Sequence, residues 1–180
     1  MHLVRFLILI CILIVLPTHV SAEPAIPGWG DAKWGMTHSG VKKHFDLNPW
    51  EPGNIPTCKM KKKVRIWGRY FAVAFYFDER SSNGKLFKVV LVHFNNDKGD
   101  TTWLNSIKDM LVEKYGNPES FEVKEKMKIS HWNKSDGQLK LTTLTGRTEM
   151  CALEYMAVSM ELKDGVHGCR HGTGSWCAWP

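Results

Sequence analysis

Four side chains able to hold a metal fall within eleven positions near the C-terminus: His167, Cys169, His171 and Cys177. Two thiolates and two imidazoles form the donor set of a tetrahedral zinc or copper site. The spacing matches no zinc-finger pattern, and no C-x-x-C-H run is present to attach haem. The competing reading is a Cys169–Cys177 disulfide that closes a Gly-rich loop. The chain-entropy model values such a closure at roughly 2–3 kcal/mol. Cys58 and Cys151 stand upstream, each at the start of a predicted strand. A second bridge between them, or from either to the tail, is the natural expectation in an oxidising compartment. No C-x-x-C motif announces redox chemistry. Disulfides are favoured here, with metal binding by the tail as the alternative, and no cofactor is expected.

His93 and His131 lie inside predicted strands, and Glu154 and Glu161 lie on another. A histidine with a carboxylate could serve as base and orienter. The chain has no G-x-S-x-G, no H-E-x-x-H and no phosphate loop to complete such a centre. Strand histidines of this kind are expected to be structural, and no catalytic residue is assigned.

The candidate binding residues are basic and aromatic. Lys59, Lys61, Lys63, Arg65 and Arg69 alternate with other residues, and Trp67 sits among them. On an unbroken strand this places the cations on one face. Such a strip suits phospholipid, lipopolysaccharide or glycan phosphates. Its bland counterpart is an edge strand kept from pairing by like charge. Trp34 and Trp50 lie beside Pro and Gly in irregular segments, where they either pack over a sheet edge or line a groove.

The elements that must position these groups follow from periodicity. Thr37 can cap a short helix over 37–45, with Met36 and Val41 at hydrophobic-staple spacing. Prolines at 49, 52 and 56 mark a loop. Strands are predicted over 58–67, 70–78 and 86–95. In the second of these, Phe71, Val73, Phe75 and Phe77 alternate with Tyr70, Ala72, Ala74 and Tyr76. Asn83-Gly84 turns the last pair. Trp103, Leu104, Ile107, Met110, Leu111 and Tyr115 recur at helical spacing, and Gly116 with Pro118 stops that helix. Three further strands are predicted over 123–133, 138–144 and 150–162. The fold class is α+β, an antiparallel sheet with two helices on one face. The order helix, three strands, helix, three strands suggests half-repeats over 32–98 and 99–162, with chance as the alternative. The single domain then spans 23–162, followed by a Gly/His/Cys-rich tail over 163–180.

Trp34-Gly35-Met36-Thr37 followed by Val41 resembles the helix entry of small exported bacterial proteins. These are the outer-membrane-assembly lipoprotein BamE (SmpA) family and its relatives with the fold of beta-lactamase inhibitory protein. The segment Leu111-Val112-Glu113-Lys114-Tyr115-Gly116-Asn117-Pro118 is similar to a helix ending common in such domains. Together the two stretches cover about a tenth of the chain. The chain departs from the pattern in having no lipid-anchor cysteine after its apolar start, a longer first loop and the His/Cys tail. The resemblance implies a helix-plus-sheet module that binds proteins or the envelope and performs no chemistry.

Compartment comes from the first residues. Arg5, an apolar run from Phe6 to Leu16, then Val20-Ser21-Ala22 read as a signal peptide over 1–22. The run is shorter than the roughly 20 residues that span a bilayer, and no later stretch is long enough. Loss of Arg5 takes the formal charge from +6 to +5. That balance suits anionic surfaces and argues against nucleic acid. The expected protein is a periplasmic or secreted, non-catalytic binding module. Its partner is an envelope or secreted protein, or an anionic envelope surface.

Overall fold

The computed structural model describes residues 25–95, 102–146 and 149–158. The first of these form a two-stranded ribbon, β1 (Gly28–Trp29) and β2 (Ala32–Lys33), followed by helix α1 (His38–His44). Strands β3 (Thr57–Lys59), β4 (Val64–Ile66), β5 (Arg69–Phe77) and β6 (Leu86–Asn95) come next. Helix α2 (Thr102–Tyr115) precedes β7 (Ser120–Lys124), β8 (Met127–Lys134), β9 (Gly137–Leu144) and β10 (Glu149–Ala157).

Eight strands make one antiparallel sheet in the order β3-β5-β6-β10-β9-β8-β7, with β4 also paired to β5. Each half of the chain runs helix first, then strands from a sheet edge inward. The two innermost strands, β6 and β10, meet at the centre with Leu91 opposite Leu153.

Alternation decides the faces. Phe71, Val73, Phe75 and Phe77 are buried, as their spacing predicts, and share one core with Leu91, Leu141, Leu153, Trp132 and the apolar side of α2. Val41 of α1 joins the same core, so both helices lie on one side of the sheet. The opposite side carries a smaller cluster, Val90, Val92 and Ala152, with Tyr76 and Met150 against it. Beside it Glu154 of β10 is held between Lys88 (2.6 Å) and Lys140, on the two flanking strands.

The helices end where their sequences say they should. The Thr37 side chain accepts from Gly40 N–H at 3.0 Å and caps α1. Gly116, at φ 81°, closes α2 by donating to Val112 C=O at 2.8 Å. The same glycine carbonyl accepts from Trp132 Nε1 at 2.7 Å, which pins the end of α2 to β8. Ile26 is fixed over the β8–β9 turn, where its N–H donates to Asp136 Oδ1 at 2.7 Å. Gly137 permits this approach, since a Cβ there would lie 2.3 Å from Ile26 C=O.

Three segmentations differ from the sequence expectation. The strand predicted over 58–67 is two short strands, because the chain bends between Met60 and Lys63. The strand predicted over 123–133 is a hairpin, β7 and β8, turned at Glu125 with φ 51°. No Gly or Asn marks that turn, so composition did not reveal it. The ribbon β1–β2 precedes the first predicted element and was not expected.

Trp132 is fully buried. Trp132→Ala is expected to destabilise the fold by about 3–5 kcal/mol. Trp132→Phe keeps most of the volume and leaves Gly116 C=O without its donor, at about 1–3 kcal/mol. Urea unfolding of both variants checks the order and the size of the two losses.

Candidate functional site

Of the expected binding residues, Trp50 and Lys61 meet beside α1, while Arg65, Trp67 and Arg69 belong to the β4–β5 hairpin. His38 opens α1, and its ring stacks on Trp50 with centroids 4.3 Å apart. Phe77 meets the same ring edge-on at 5.3 Å. The loop over 46–56 is held against β3 by Asn48 N–H to Lys59 C=O and Glu51 N–H to Thr57 C=O, both 2.8 Å. Arg80 ties the far side of the loop by donating to the Glu51 and Gly53 carbonyls. The result is a cleft of about 440 Å³, lined by His38, Lys42, Leu47, Asn48, Trp50 and Lys61. Trp50 and Lys61 were legible as candidates, whereas His38, Lys42 and Asn48 were not. Only the folding of the loop onto α1 brings them together.

Beneath the cleft, His38 Nε2 lies 3.6 Å from Cys58 Sγ. A thiol beside an imidazole invites a nucleophilic reading, which needs a thiolate within reach of substrate. Cys58 is fully buried. Burial, then the nearby Glu51 carboxylate, pushes its thiol up to about 11. Burial, then Lys42, holds His38 below its ordinary 6.5. At neutral pH both groups are uncharged, and the pair is a thiol–imidazole contact between buried Cys58 and partly buried His38.

The cationic strip is not one face. Lys59 lies on the outer side of β3 and pairs with Glu51 at 3.3 Å. Lys61 sits in the bend and pairs with Asp46 at 2.8 Å. Lys63 and Arg65 are exposed and make no ion pair among the described residues. Arg69 turns to the helix side, where its guanidinium lies 5.4 Å from the Trp103 ring. Alternation fails because the bend resets the period.

Trp67 occupies the tip of the β4–β5 hairpin. Ile66 pairs with Arg69, which leaves Trp67-Gly68 as a two-residue loop. Both residues have positive φ, 50° and 77°. That is the geometry of a type I′ turn, which favours Asn or Gly first. A tryptophan there is strained, and it is 38% exposed. Trp34 is structural: its Nε1 donates to Ile26 C=O at 2.6 Å.

The remaining sequence candidates separate. Cys58 and Cys151 form no disulfide; both thiols are free and buried. β3 and β10 have β5 and β6 between them, about 14 Å at normal strand spacing. A bridge needs Cα atoms within about 7 Å. Burial pushes the Cys151 thiol up to about 12. His167, Cys169, His171 and Cys177 lie outside the described residues. Among the described residues no group of three or more His, Cys, Asp or Glu side chains could hold a metal ion. No helix among them is long and apolar enough to cross a membrane.

His93 and His131 are on opposite sides of the sheet, and Glu154 shares only the outer one. His93 Nδ1 donates to Tyr70 C=O at 2.9 Å. Its Nε2 is buried without a hydrogen-bond partner, and the ring meets Trp103 edge-on at 4.9 Å. Among the described residues no base-and-orienter pair forms, and Glu161 lies outside them.

No family model, curated protein or solved structure matches this chain.

Two measurements test this geometry. The native protein is expected to leave Cys58 and Cys151 unlabelled by a thiol reagent. Denaturation without reductant is expected to label both, and failure to do so would indicate a bridge. His38 has its folded-state pKa depressed, so its contribution to stability is complete above 6.5 and is lost as pH falls below that value. His38→Phe keeps a ring between Trp50 and Phe77 but cannot titrate. It is expected to flatten the acid side of the stability–pH profile, as measured by urea midpoints.

Proposed function

We propose that this chain is a non-catalytic, exported binding module that attaches to an anionic envelope surface through the β4–β5 hairpin. The carrying observation is Trp67. A two-residue turn with both φ angles positive is most stable with Asn-Gly, and this chain has Trp-Gly at that position, with the ring 38% exposed. Strain at an exposed aromatic is a motive for seeking function there. Lys63 and Arg65 flank the tip without ion pairs among the described residues, so their charge is available to an anionic surface. Indole rings settle at the headgroup level of a bilayer, and each nearby cation adds about 1 kcal/mol of attraction. Export rests on the signal-like first residues, and the resemblance to exported envelope modules supports the same reading.

The test is binding to vesicles containing phosphatidylglycerol. Trp67→Asn is expected to raise stability by about 1 kcal/mol by relieving the turn, while weakening vesicle binding. Lys63→Gln together with Arg65→Gln is expected to weaken it about thirtyfold at low salt. Vesicle binding unchanged in both variants would refute the assignment of this surface. Capture of a protein by the hairpin, with no vesicle binding, would replace the surface with a protein partner.

A further inference from the structure

A second opening lies at the other end of the sheet, between α2 and strands β7 to β9. It is a cavity of about 140 Å³, close to the size of a cavity of about 150 Å³ that holds benzene. Its polar lining carries two cations, three hydroxyls and the Asn105 amide. Lys108 reaches it from α2 and Lys128 from β8. Neither makes an ion pair among the described residues. Ser130 and Thr143 line it from the floor, only 2% and 7% exposed. No carboxylate lines the cavity.

Two ammonium groups without a carboxylate partner among the described residues, with two hydroxyls at the floor, present only donors to this opening once the hydroxyls turn outward. An anionic group that accepts from all four is the complementary ligand. Leu104, Leu141 and Phe121 supply the apolar part of the wall. Leu141 forms part of the floor, and Phe121 stands half exposed at the mouth with Lys108 Nζ 4.9 Å from its ring centre. The cation is thus parked over an aromatic face at the entrance.

We propose that this cavity is a binding site for a small oxyanion of the phosphate class that carries an apolar substituent. Lys108 and Lys128 neutralise the anion, and the Ser130 and Thr143 hydroxyls donate to its oxygens. The substituent leaves along Phe121. The volume admits one such headgroup and a few carbon atoms, and excludes a nucleotide. The site lies at the opposite end of the sheet from the β4–β5 hairpin and stands independently of the function assigned there.

The test uses phenyl phosphate as the probe, with inorganic phosphate and phenol as controls, on the purified chain. Amide NMR shifts locate the binding and calorimetry measures it. Phenyl phosphate is expected to bind more tightly than either control and to move the signals of Ser130 and Thr143. Lys128→Gln and Lys108→Gln are each expected to weaken it about tenfold. Lys124→Gln, on the same edge but paired with Glu122 at 2.9 Å, is expected to leave it unchanged. Phosphatidic-acid vesicles decide the source of the anion. Displacement of phenyl phosphate by them assigns a lipid headgroup, and no displacement assigns a soluble phosphomonoester. The proposal fails if phenyl phosphate gives no saturable shifts, or if the Lys108→Gln, Lys128→Gln double variant, with an unchanged amide spectrum, binds it as well as the parent does.

Discussion

The antiparallel pairing of β6 with β10 is the interaction on which the rest of the molecule depends. It runs from Asn95 opposite Glu149 to Lys88 opposite Met156. Every other strand of the large sheet is a local extension from one of these two. Their inward residues, Leu91 and Leu153 among them, floor the core that both helices cover. The pair joins segments far apart in the chain, so its formation carries a loop-closure cost that the local hairpins do not. What offsets that cost is the apolar surface that only the joined sheet can bury.

Polar groups set how the halves fit. Glu149 is buried and accepts from Trp103 Nε1 at 3.1 Å and from Asn95 Nδ2 at 3.3 Å. This fastens the first turn of α2 to the central strand pair, as Trp132 fastens its last. On the other face burial raises the affinity of Glu154 for a proton, but Lys88 and Lys140 outweigh it, and the net shift is downward. The trio crosses β6, β10 and β9. A register slip of one residue would turn Glu154 into the core beneath the helices, so the trio and the leucines specify the same alignment.

The residues that look most chemical are largely committed to packing. Cys58 and Cys151 are inside, and His38 roofs one of them between two aromatic rings. Two features that packing does not account for lie elsewhere: the left-handed Trp67 at a hairpin tip, and two lysines without carboxylate partners among the described residues at the opening under α2.

Local pattern was enough for β5, β6 and α2. Two-residue alternation, 3.6-residue recurrence, and the stops at Asn83-Gly84 and Gly116 are all properties of neighbouring positions. The cap at Thr37 and the class of the fold were legible for the same reason. The turn at Glu125 was not, because no residue there favours positive φ. The expected Cys58 to Cys151 bridge failed because spacing along a chain says nothing of spacing across a sheet. The cleft was half legible: Trp50 and Lys61 announced themselves by type, but His38 and Cys58 meet across twenty positions. Sequence by itself determined which faces are apolar and where segments begin and stop, since backbone sterics and side-chain alternation act within a few residues. Which strands are neighbours, which charges are paired and which stay available were decided only by tertiary structure, because each depends on groups that the chain brings together after closing long loops.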